Sequence, residues 1–361
     1  MHDALLGGQP VRFPCGLSMK NQFMLAPMTN CQSHEDGVLS DAEFRWLTMR
    51  AEGGFGLTMT CAAHVQEVGQ GFPGQLGIFA DRHDEGHRHL AAAIKAQGSL
   101  AVIQLHHAGL RSPEDLIGQI PVAPSSDAKS GARALTLEGV VELRDDFIAA
   151  AVRAQNAGYD GVQIHGAHGY IIAQFISEQY NRRSDAYGGS LEDRSRLLLE
   201  IVRGVREACG PDFLLGVRLS PERFGMRLKE TLKLSQVLID TGLIDFLDLS
   251  LWDCFKQPEE AEHTHHSLLD HIAGLTMGDV RLTVAGKIHS GSDVRAVLDA
   301  GVDFVTIGRA AILHHDYPHQ ILADARFEPL QLPVSVAHLE SEGLSEVFIE
   351  YMRRWPDFVA G

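Results

Sequence analysis

The sequence predicts an α/β protein that folds as a single (β/α)8 barrel, also called a TIM barrel. Three observations support this: eight short apolar runs rich in β-branched residues, amphipathic segments between them, and glycines where a helix ends and the next strand begins. Strands that alternate with helices pair in parallel. Eight repeats within 361 residues fit one closed barrel with long loops better than two unlike domains.

The predicted strands are the apolar runs, each of four to seven residues bounded by polar or glycine-containing segments. Such runs are typical of strands that are buried on both faces of a sheet. They lie at residues 22–28, 55–61, 100–104, 158–164, 214–219, 246–250, 281–285 and 304–307.

The predicted helices carry apolar residues at intervals of three and four. They lie at residues 41–52, 85–97, 145–156, 192–208, 231–241, 292–300 and 318–325. The segment Ser190-Leu191-Glu192-Asp193 has the pattern of a capping box, so a long helix is expected to begin there. Four helices are followed by a glycine, at the position where a positive φ is common: Gly98, Gly158, Gly242 and Gly301.

Two segments lie outside the repeat. We expect residues 1–20 to form a hairpin that closes the bottom of the barrel, residues 21–330 to form the barrel, and residues 331–361 to form a tail with a helix at 346–354. The tail segment Tyr351-Met352-Arg353-Arg354-Trp355 mixes aromatic and basic residues, as interfaces do. It predicts either contact between two copies of the chain or a terminal helix packed on its own barrel.

Charge and cysteine content exclude several classes of function. With 31 basic and 47 acidic residues the formal net charge is −16, which disfavours nucleic acid as a partner. The five cysteines are scattered, without a Cys-x-x-Cys pair, so a disulfide framework, a zinc ribbon and an iron–sulfur cluster are not expected. The start of the chain has no leader pattern and no apolar run is long enough to span a bilayer, so we expect a cytoplasmic protein that does not contact membranes.

The most informative segment follows the fourth predicted strand. It reads Ile164-His165-Gly166-Ala167-His168-Gly169-Tyr170 and sets two imidazoles and a phenol within six positions. The carboxyl ends of barrel strands carry the active sites of this fold, so the segment predicts a catalytic loop.

Other strand ends add polar side chains that should meet the same mouth. The first strand ends near Pro27, Met28 and Thr29, and the third ends at Gln104. Arg218 lies inside the fifth strand, where a guanidinium is buried or faces the mouth and so needs an anionic partner.

The seventh and eighth strands end in glycine followed by a basic residue: Gly286-Lys287 and Gly308-Arg309. Barrels often bind phosphate with the loops at these two positions, because glycine lets backbone N–H groups approach the anion. A phosphate-bearing cofactor or substrate is therefore expected, with ordinary surface turns as the alternative.

A metal site is the competing interpretation of His165-x-x-His168, and two features disfavour it. A catalytic zinc usually has three protein ligands, and the helical metalloprotease motif spaces its histidines four apart around a glutamate. The adjacent pairs His106-His107, His265-His266 and His314-His315 are expected to be solvated, because neighbouring side chains point in different directions.

Taken together, these residues resemble the old yellow enzyme family of FMN-dependent NAD(P)H oxidoreductases, or ene-reductases. The resemblance covers residues 10–325 and is most specific in the His165–Tyr170 segment with residues 181–190. It extends to Ala26-Pro27-Met28-Thr29, Gln104-Leu105-His106-His107-Ala108-Gly109, Arg218 and Gly308-Arg309.

The resemblance implies bound FMN and NADPH or NADH as the reductant. Thr29 would contact the flavin C4 carbonyl region, Ala62 the ring through its backbone, Gln104 the pyrimidine edge, and Arg218 the N1 and O2 side. The full set implied for the cofactor is Pro27, Met28, Thr29, Ala62, Gln104, Arg218, Gly286, Lys287, Gly308 and Arg309.

The resemblance also implies the reaction. His165 and His168 would donate hydrogen bonds to an oxygen of an activated alkene, a hydride would pass from flavin N5 to the β-carbon, and Tyr170 would protonate the α-carbon. A phenol has an ordinary pKa of about 10 and stays protonated at neutral pH, as a general acid must.

Two alternatives remain open at this point. A flavin barrel that reduces uridines in tRNA would need a basic surface, and a non-catalytic barrel that binds a phosphorylated ligand would not need His165, His168 and Tyr170. Within the old yellow enzyme family, Thr29 is similar to one branch, whereas His168 and the chain length are similar to the shorter bacterial branch. The physiological substrate and the choice between NADH and NADPH are not specified by the sequence.

Overall fold

The structure is a computed structural model that describes residues 5–361, and its centre is a closed barrel of eight parallel strands. Each strand pairs with the next along the chain, and the last pairs with the first. The predicted (β/α)8 fold is confirmed. The barrel strands are β1 Phe23–Leu25, β2 Leu57–His64, β3 Leu100–His106, β4 Gly161–Gly166, β5 Leu214–Leu219, β6 Phe246–Ser250, β7 Arg281–Ala285 and β8 Phe304–Ile307.

Helices surround the barrel and continue into the tail. They are α1 Asp41–Glu52, α2 Asp84–Ala96, α3 Leu137–Asn156, α4 Leu191–Cys209, α5 Leu228–Asp240, α6 Leu268–Ala273, α7 Gly291–Asp299, α8 Tyr317–Ala323, α9 Val336–Ser341 and α10 Glu346–Met352. Shorter helices lie in the loops at Glu114–Ile117, Ile171–Ile176 and Arg309–Leu313. Within the part of the chain that the structure describes, no helix is both long enough and apolar enough to cross a membrane.

The bottom of the barrel is an apolar core that a short hairpin closes. The hairpin pairs Val11–Arg12 with Ser18–Met19, and Phe13 between them lies with its ring 5.9 Å from that of Phe246 and 5.8 Å from that of Phe304. These rings pack with methionine, leucine and valine side chains from the lower ends of the strands. Packing of this kind makes the barrel a filled core rather than a pore.

The interior changes from apolar to polar toward the carboxyl ends of the strands. Alternate residues of a strand face the same side, so β6 turns Phe246, Asp248 and Ser250 inward at successive heights. At the level of Phe246 there is room only for glycine on the neighbouring strand, because a Cβ at Gly216 would overlap the phenylalanine ring. The apolar layer therefore supports a polar layer directly above it.

Strand bounds agree closely with the prediction in the second half of the barrel and less well in the first. Strand β4 begins at residue 161 rather than 158, because Gly158 adopts a φ of 89° in the turn that ends α3. Helix α3 begins eight residues earlier than residue 145, where the Thr136 side chain accepts a hydrogen bond from the Gly139 N–H. The short helix α6 was not predicted.

The tail packs on the barrel from which it comes. Phe348 of α10 lies with its ring 5.5 Å from that of Trp46 in α1, and Val334 forms a parallel bridge with Val359. This packing agrees with the interpretation of the tail as a terminal helix packed on its own barrel. Contact between copies of the chain stays a prediction.

Candidate active site

A cavity of about 250 Å³ opens at the carboxyl ends of the strands. Nine of the thirteen predicted site residues line it: Pro27, Met28, Thr29, His168, Arg218, Gly286, Lys287, Gly308 and Arg309. The other four lie beside this lining. Ala62 and Gln104 are paired neighbours on β2 and β3, while His165 and Tyr170 adjoin His168.

A chain of buried polar side chains forms the floor beside the cavity. The Gln104 amide donates to Gln163 Oε1 at 2.6 Å, and the Gln163 amide donates to Asp248 Oδ2 at 3.0 Å. Asp248 Oδ2 in turn lies 3.2 Å from Arg218 Nε. Four strands, β3 to β6, therefore contribute one polar side chain each to a single connected network.

Arg218 has the anionic partner that its burial requires, and that partner is Asp248. The two side chains are 4% and 0% exposed. Burial raises the pKa of Asp248, while the Arg218 charge and the Gln163 hydrogen bond act in the opposite direction. Arg218 Nε contacts the carboxylate without hydrogen-bond geometry and is itself shielded from solvent.

The histidine motif turns sharply where β4 ends. His168 and Gly169 have φ values of 58° and 71°, a left-handed pair that bends the chain back over the strand. The His168 N–H donates to Ser220 Oγ at 3.0 Å, which fixes the turn to the end of β5. The His168 side chain is thereby placed beside His165.

The two imidazoles form a directional hydrogen-bond chain. His165 Nδ1 accepts from the Ala167 N–H at 3.2 Å, so its proton is on Nε2, which lies 3.3 Å from His168 Nδ1. His168 Nε2 then donates to Ser250 Oγ at 2.8 Å. Ser250 Oγ also accepts from Arg218 at 3.3 Å, which joins the motif to the polar floor.

Both imidazoles are neutral at physiological pH. Burial is the main reason that the pKa of His165 lies well below its ordinary range, with His168 and His106 adding to the effect. Burial and the Arg218 charge lower the pKa of His168 to about 3. Each ring therefore presents one N–H donor and one lone pair.

Tyr170 is held between a histidine and an arginine. The His106 ring lies 4.3 Å from the Tyr170 ring in an edge-to-face arrangement, and the Arg111 guanidinium lies 4.7 Å from the same ring. Arg111 also donates to the His168 carbonyl at 2.5 Å, so it links the phenol to the turn.

The expectation that His106 and His107 are solvated was wrong. They are 0% and 1% exposed, because β3 continues to His106 and the following loop folds beneath the motif. His106 Nδ1 lies 3.0 Å from the Gln75 amide, and His106 Nε2 is buried without a partner. His106 is the last residue of β3, and this position at a strand end could have predicted that it lies beside Tyr170.

The loops after β7 and β8 form the opposite wall. A Cβ at Gly286 would lie 3.0 Å from the Asp253 and Cys254 backbone nitrogens, so only glycine permits this approach. Lys287 Nζ contacts Asp253 Oδ2 at 2.9 Å, whereas Arg309 is exposed at the start of its short helix. His289 lies nearby, and its pKa is lowered by burial and by the Arg309 and Lys287 charges.

The charge of the cavity differs from that of the whole chain. Its lining includes three permanent cations, Arg218, Lys287 and Arg309, and no carboxylate among the described residues. The chain as a whole has a formal net charge of −16. Arg218 and Lys287 are paired with Asp248 and Asp253, which lie outside the lining, whereas Arg309 has no carboxylate within 4.0 Å among the described residues. The loops after β7 and β8 therefore suit an anionic group such as phosphate.

Sequence reasoning did not identify several residues at the site. Ser250 is the last residue of β6 and Trp252 follows that strand, and both line the cavity. Tyr351, Met352 and Trp355 reach it from the tail, and Tyr351 shares the lining with Thr29. Only the aromatic composition of the tail could have indicated this role.

Comparison with known proteins gives a consistent result. Residues 9–326 match the model of the NADH:flavin oxidoreductase / NADH oxidase family. The probable NADH-dependent flavin oxidoreductase YqiG of Bacillus subtilis (strain 168) is 38% identical over 316 residues, which are 84% of each chain. An NADPH dehydrogenase of Bacillus pumilus (strain SAFR-032) is 38% identical over 325 residues, covering 86% of this chain and 93% of that protein.

A solved structure supports the same relationship. The old yellow enzyme homologue from Zymomonas mobilis superposes with a TM-score of 0.80 at 29% identity. The superposition covers 94% of this chain and 99% of the other.

Proposed function

Because the chain belongs to the NADH:flavin oxidoreductase / NADH oxidase family, which includes the old yellow enzymes, we propose that it reduces activated alkenes. Its cofactor is FMN and its reductant is NADH or NADPH. The proposal concerns the acceptor: an alkene conjugated to a carbonyl or nitro group. The observation that supports it is the neutral pair His165 and His168 beside Tyr170.

The residues of the cavity fit FMN. Gly286, Lys287, Gly308 and Arg309 would hold the phosphate, because they place two cations and two glycines side by side in the lining, and glycine leaves backbone N–H groups accessible to an anion. Arg218, which lines the cavity, would bind the flavin at its anionic edge.

The remaining cofactor contacts come from the first three strands. Thr29 and Gln104 would supply side-chain hydrogen bonds, while Pro27, Met28 and Ala62 would pack against the ring system. When bound, FMN supplies the redox chemistry, since it accepts a hydride from NADH or NADPH and delivers one to the substrate.

The histidine pair would bind the substrate oxygen. A separation of 3.3 Å between His165 Nε2 and His168 Nδ1 is long for a hydrogen bond, so an oxygen acceptor can replace this contact at little cost. His168 can likewise redirect its Nε2–H from Ser250 to the ligand. Two N–H donors on one oxygen withdraw electron density from the conjugated alkene and prepare its β-carbon for the hydride.

Tyr170 would supply the proton. Arg111 and His106 restrain its ring from two sides, so the hydroxyl is held in one place beside His165. A phenol transfers its proton to the α-carbon as negative charge develops there, and solvent restores the proton after product release.

The proposal is tested by separating the two half-reactions under anaerobic conditions. Purified protein is expected to be yellow, to release FMN on denaturation, and to be bleached by NADH or NADPH in stopped flow. Reduced protein is then mixed with cyclohexenone, N-methylmaleimide or a nitroalkene, and rapid reoxidation with formation of the saturated product is expected. Bleaching without reoxidation by any of these acceptors would leave a flavin oxidoreductase and refute ene-reduction.

A further inference from the structure

Two tryptophans stand exposed at the mouth of the cavity. Trp252, just after β6, is 51% exposed and Trp355, after α10, is 37% exposed. Both line the cavity, and their rings lie 6.3 Å apart at an angle of 40°. The third tryptophan of the chain, Trp46, is fully buried.

Two arginines lie against these aromatic side chains. The Arg223 guanidinium is 5.1 Å from the Trp252 ring, and the Arg354 guanidinium is 5.6 Å from the Tyr351 ring. Arg223 also approaches Glu259 at 3.5 Å, but both side chains are largely exposed and such a pair is weak. Among the described residues no carboxylate lies within 4.0 Å of Arg354, so its donors are available to a ligand.

We propose that Trp252, Trp355, Arg223 and Arg354 form a rim platform that binds the adenosine diphosphate half of the reduced nicotinamide dinucleotide. The inference rests on the proposed function, in which the nicotinamide must reach the cavity while the rest of the molecule extends out of it. An adenine ring stacks on exposed indoles, and arginine binds diphosphate through paired N–H donors.

The tail connects the reacting end of the site with the platform. Tyr351 and Thr29 both line the cavity, and Trp355 lies four residues further along the chain at the rim. Trp252 and Arg223 have φ values of 64° and 67°, a conformation that is uncommon for residues with large side chains. The backbone thus holds both side chains at the rim in a defined position.

Charge favours this ligand at this place. The chain carries a net charge of −16, which repels a dinucleotide with two or more phosphate charges over most of the surface. The rim arginines and Arg309 in the cavity lining are local exceptions to this negative charge. A dinucleotide is guided to the mouth that its nicotinamide must enter.

The decisive experiment compares a dinucleotide with its truncated form. Flavin reduction is followed anaerobically by stopped flow with NADH, NADPH and reduced nicotinamide mononucleotide, which lacks the adenosine half. Trp252→Ala, Trp355→Ala and Arg354→Gln are each expected to raise the apparent Kd for the dinucleotide about tenfold, as loss of one stacked base or one charged contact implies. Arg354 does not line the cavity, so reduction by the mononucleotide is expected to be unchanged in Arg354→Gln.

Two controls are matched to the tail variants. Arg353→Gln removes the neighbouring charge, which instead pairs with Glu350, and Val347→Ala shortens an exposed side chain of the same helix. Neither should alter reduction by any of the three donors. FMN content is measured in every variant, because Trp252 and Trp355 also line the cavity.

Calorimetric titration of the flavin-loaded protein with ADP alone measures binding to the platform independently of flavin reduction. Binding by the wild type and its loss in Trp252→Ala are expected. The platform would be refuted if a variant weakened the binding of the mononucleotide and of the dinucleotide equally. It would also be refuted if a variant lost FMN while the ratio of reduction rates with the two donors stayed unchanged. Either result would assign the tryptophans to cofactor binding. If none of the three donors bleaches the wild-type flavin, the proposed function is refuted. The ADP titration would then still test the platform, because it does not depend on flavin reduction.

Discussion

His168 illustrates how single residues build this site through their backbone conformation. Its φ of 58° is unusual for a residue with a Cβ, and within residues 5–361 six of the seven non-glycine residues with positive φ lie in loops that follow barrel strands. They are Cys31, His168, Arg223, Phe224, Trp252 and Lys287. Strained backbone of this kind persists where the surrounding structure enforces it, and here it concentrates around one mouth.

Replacing Tyr170 by phenylalanine should slow alkene reduction by a factor of about 10²–10⁴, because the proton would then come from unpositioned water. Reduction of the flavin by NADH or NADPH should be largely unaffected, since it needs no proton from this phenol. Both half-reactions are measured by anaerobic stopped flow. Tyr187→Phe is the control, since the Tyr187 hydroxyl is bonded to Glu200 outside the cavity. An equal loss in both half-reactions for Tyr170→Phe would contradict the assigned role.

Asp248→Asn should lower the free energy of unfolding by about 3–5 kcal/mol, because Arg218 would be left as a buried charge without its counter-charge. Urea denaturation of the apoprotein measures the change. Asp240→Asn, at an exposed position of α5, should have an effect near zero. If the two variants have the same midpoint, the Arg218–Asp248 pair does not stabilise the barrel.

The same pair shows where prediction from sequence ends at this scale. Burial of Arg218 within an apolar strand was sufficient to predict that it needs an anion. The identity of that anion depends on the register between β5 and β6, which pairs Asp248 with Arg218. Register arises from contacts across the whole barrel, and so the sequence of one strand does not specify it.

At the scale of elements, the connection between α1 and the tail determines whether the cavity is complete. Arg50 of α1 is fully buried and donates to the Ala311 carbonyl at 3.2 and 3.1 Å and to the Glu342 carbonyl at 2.6 Å. The Glu342 carboxylate accepts from His315 Nδ1 at 2.9 Å. Barrel and tail are thereby joined just before the helix that carries Tyr351.

The His315–Glu342 contact should make the stability of this junction depend on pH. The Glu342 hydrogen bond raises the pKa of His315 above its ordinary 6.5, so the stabilisation is complete below that value and is lost as pH rises through the folded pKa. Burial raises the pKa of Glu342, but the hydrogen bonds from His315 outweigh burial and lower this pKa below 4.5. The stabilisation that the Glu342 carboxylate provides is therefore lost as the pH falls through its folded pKa. The contact is therefore strongest between about pH 4.5 and 6.5.

Thermal unfolding of Glu342→Gln and wild type across pH 4–9 tests this expectation. The difference in Tm should be largest near pH 5.5 and should shrink toward pH 8.5, where His315 is neutral. Glu340→Gln, an exposed carboxylate in the same helix, provides the baseline. A constant difference at every pH would show that the contact acts through packing alone.

The helices and strands that could be predicted are those whose sequence pattern lies within the element itself. Strands β5 to β8 have the predicted bounds because each is an apolar run bounded by polar residues. Helix α6 follows a polar, histidine-containing segment, and six residues are too few to show a helical period. The position of α10 depends on the ring contact between Phe348 and Trp46, which no local pattern reveals.

At the scale of the whole molecule, barrel closure explains why the site was largely predictable. All carboxyl ends of the strands meet at one mouth whatever their exact register, so polar residues at strand ends converge. Nine of thirteen predicted residues line one cavity for this reason. The tail lies outside the repeat, and its contribution of Tyr351 and Trp355 to the cavity could not follow from that rule.

The division of the barrel into an apolar bottom and a polar, cationic top predicts how strongly the cofactor stabilises the fold. FMN at 100 times its Kd should add about 2.7 kcal/mol to the free energy of unfolding, because it binds only the folded chain. Riboflavin at the same concentration should add clearly less, since it has no phosphate for Lys287 and Arg309 to bind. Thermal unfolding with each ligand measures the difference, and equal stabilisation would exclude a phosphate role for these loops.

The unequal placement of the three tryptophans has an optical consequence. Trp46 is buried against the tail, whereas Trp252 and Trp355 are partly in water beside the cavity. Intrinsic fluorescence should therefore contain a blue-shifted component that resists iodide quenching and a red-shifted component that iodide quenches. The first component reports whether the tail is docked on α1, and the second reports occupancy of the mouth, so one unlabelled sample follows both events.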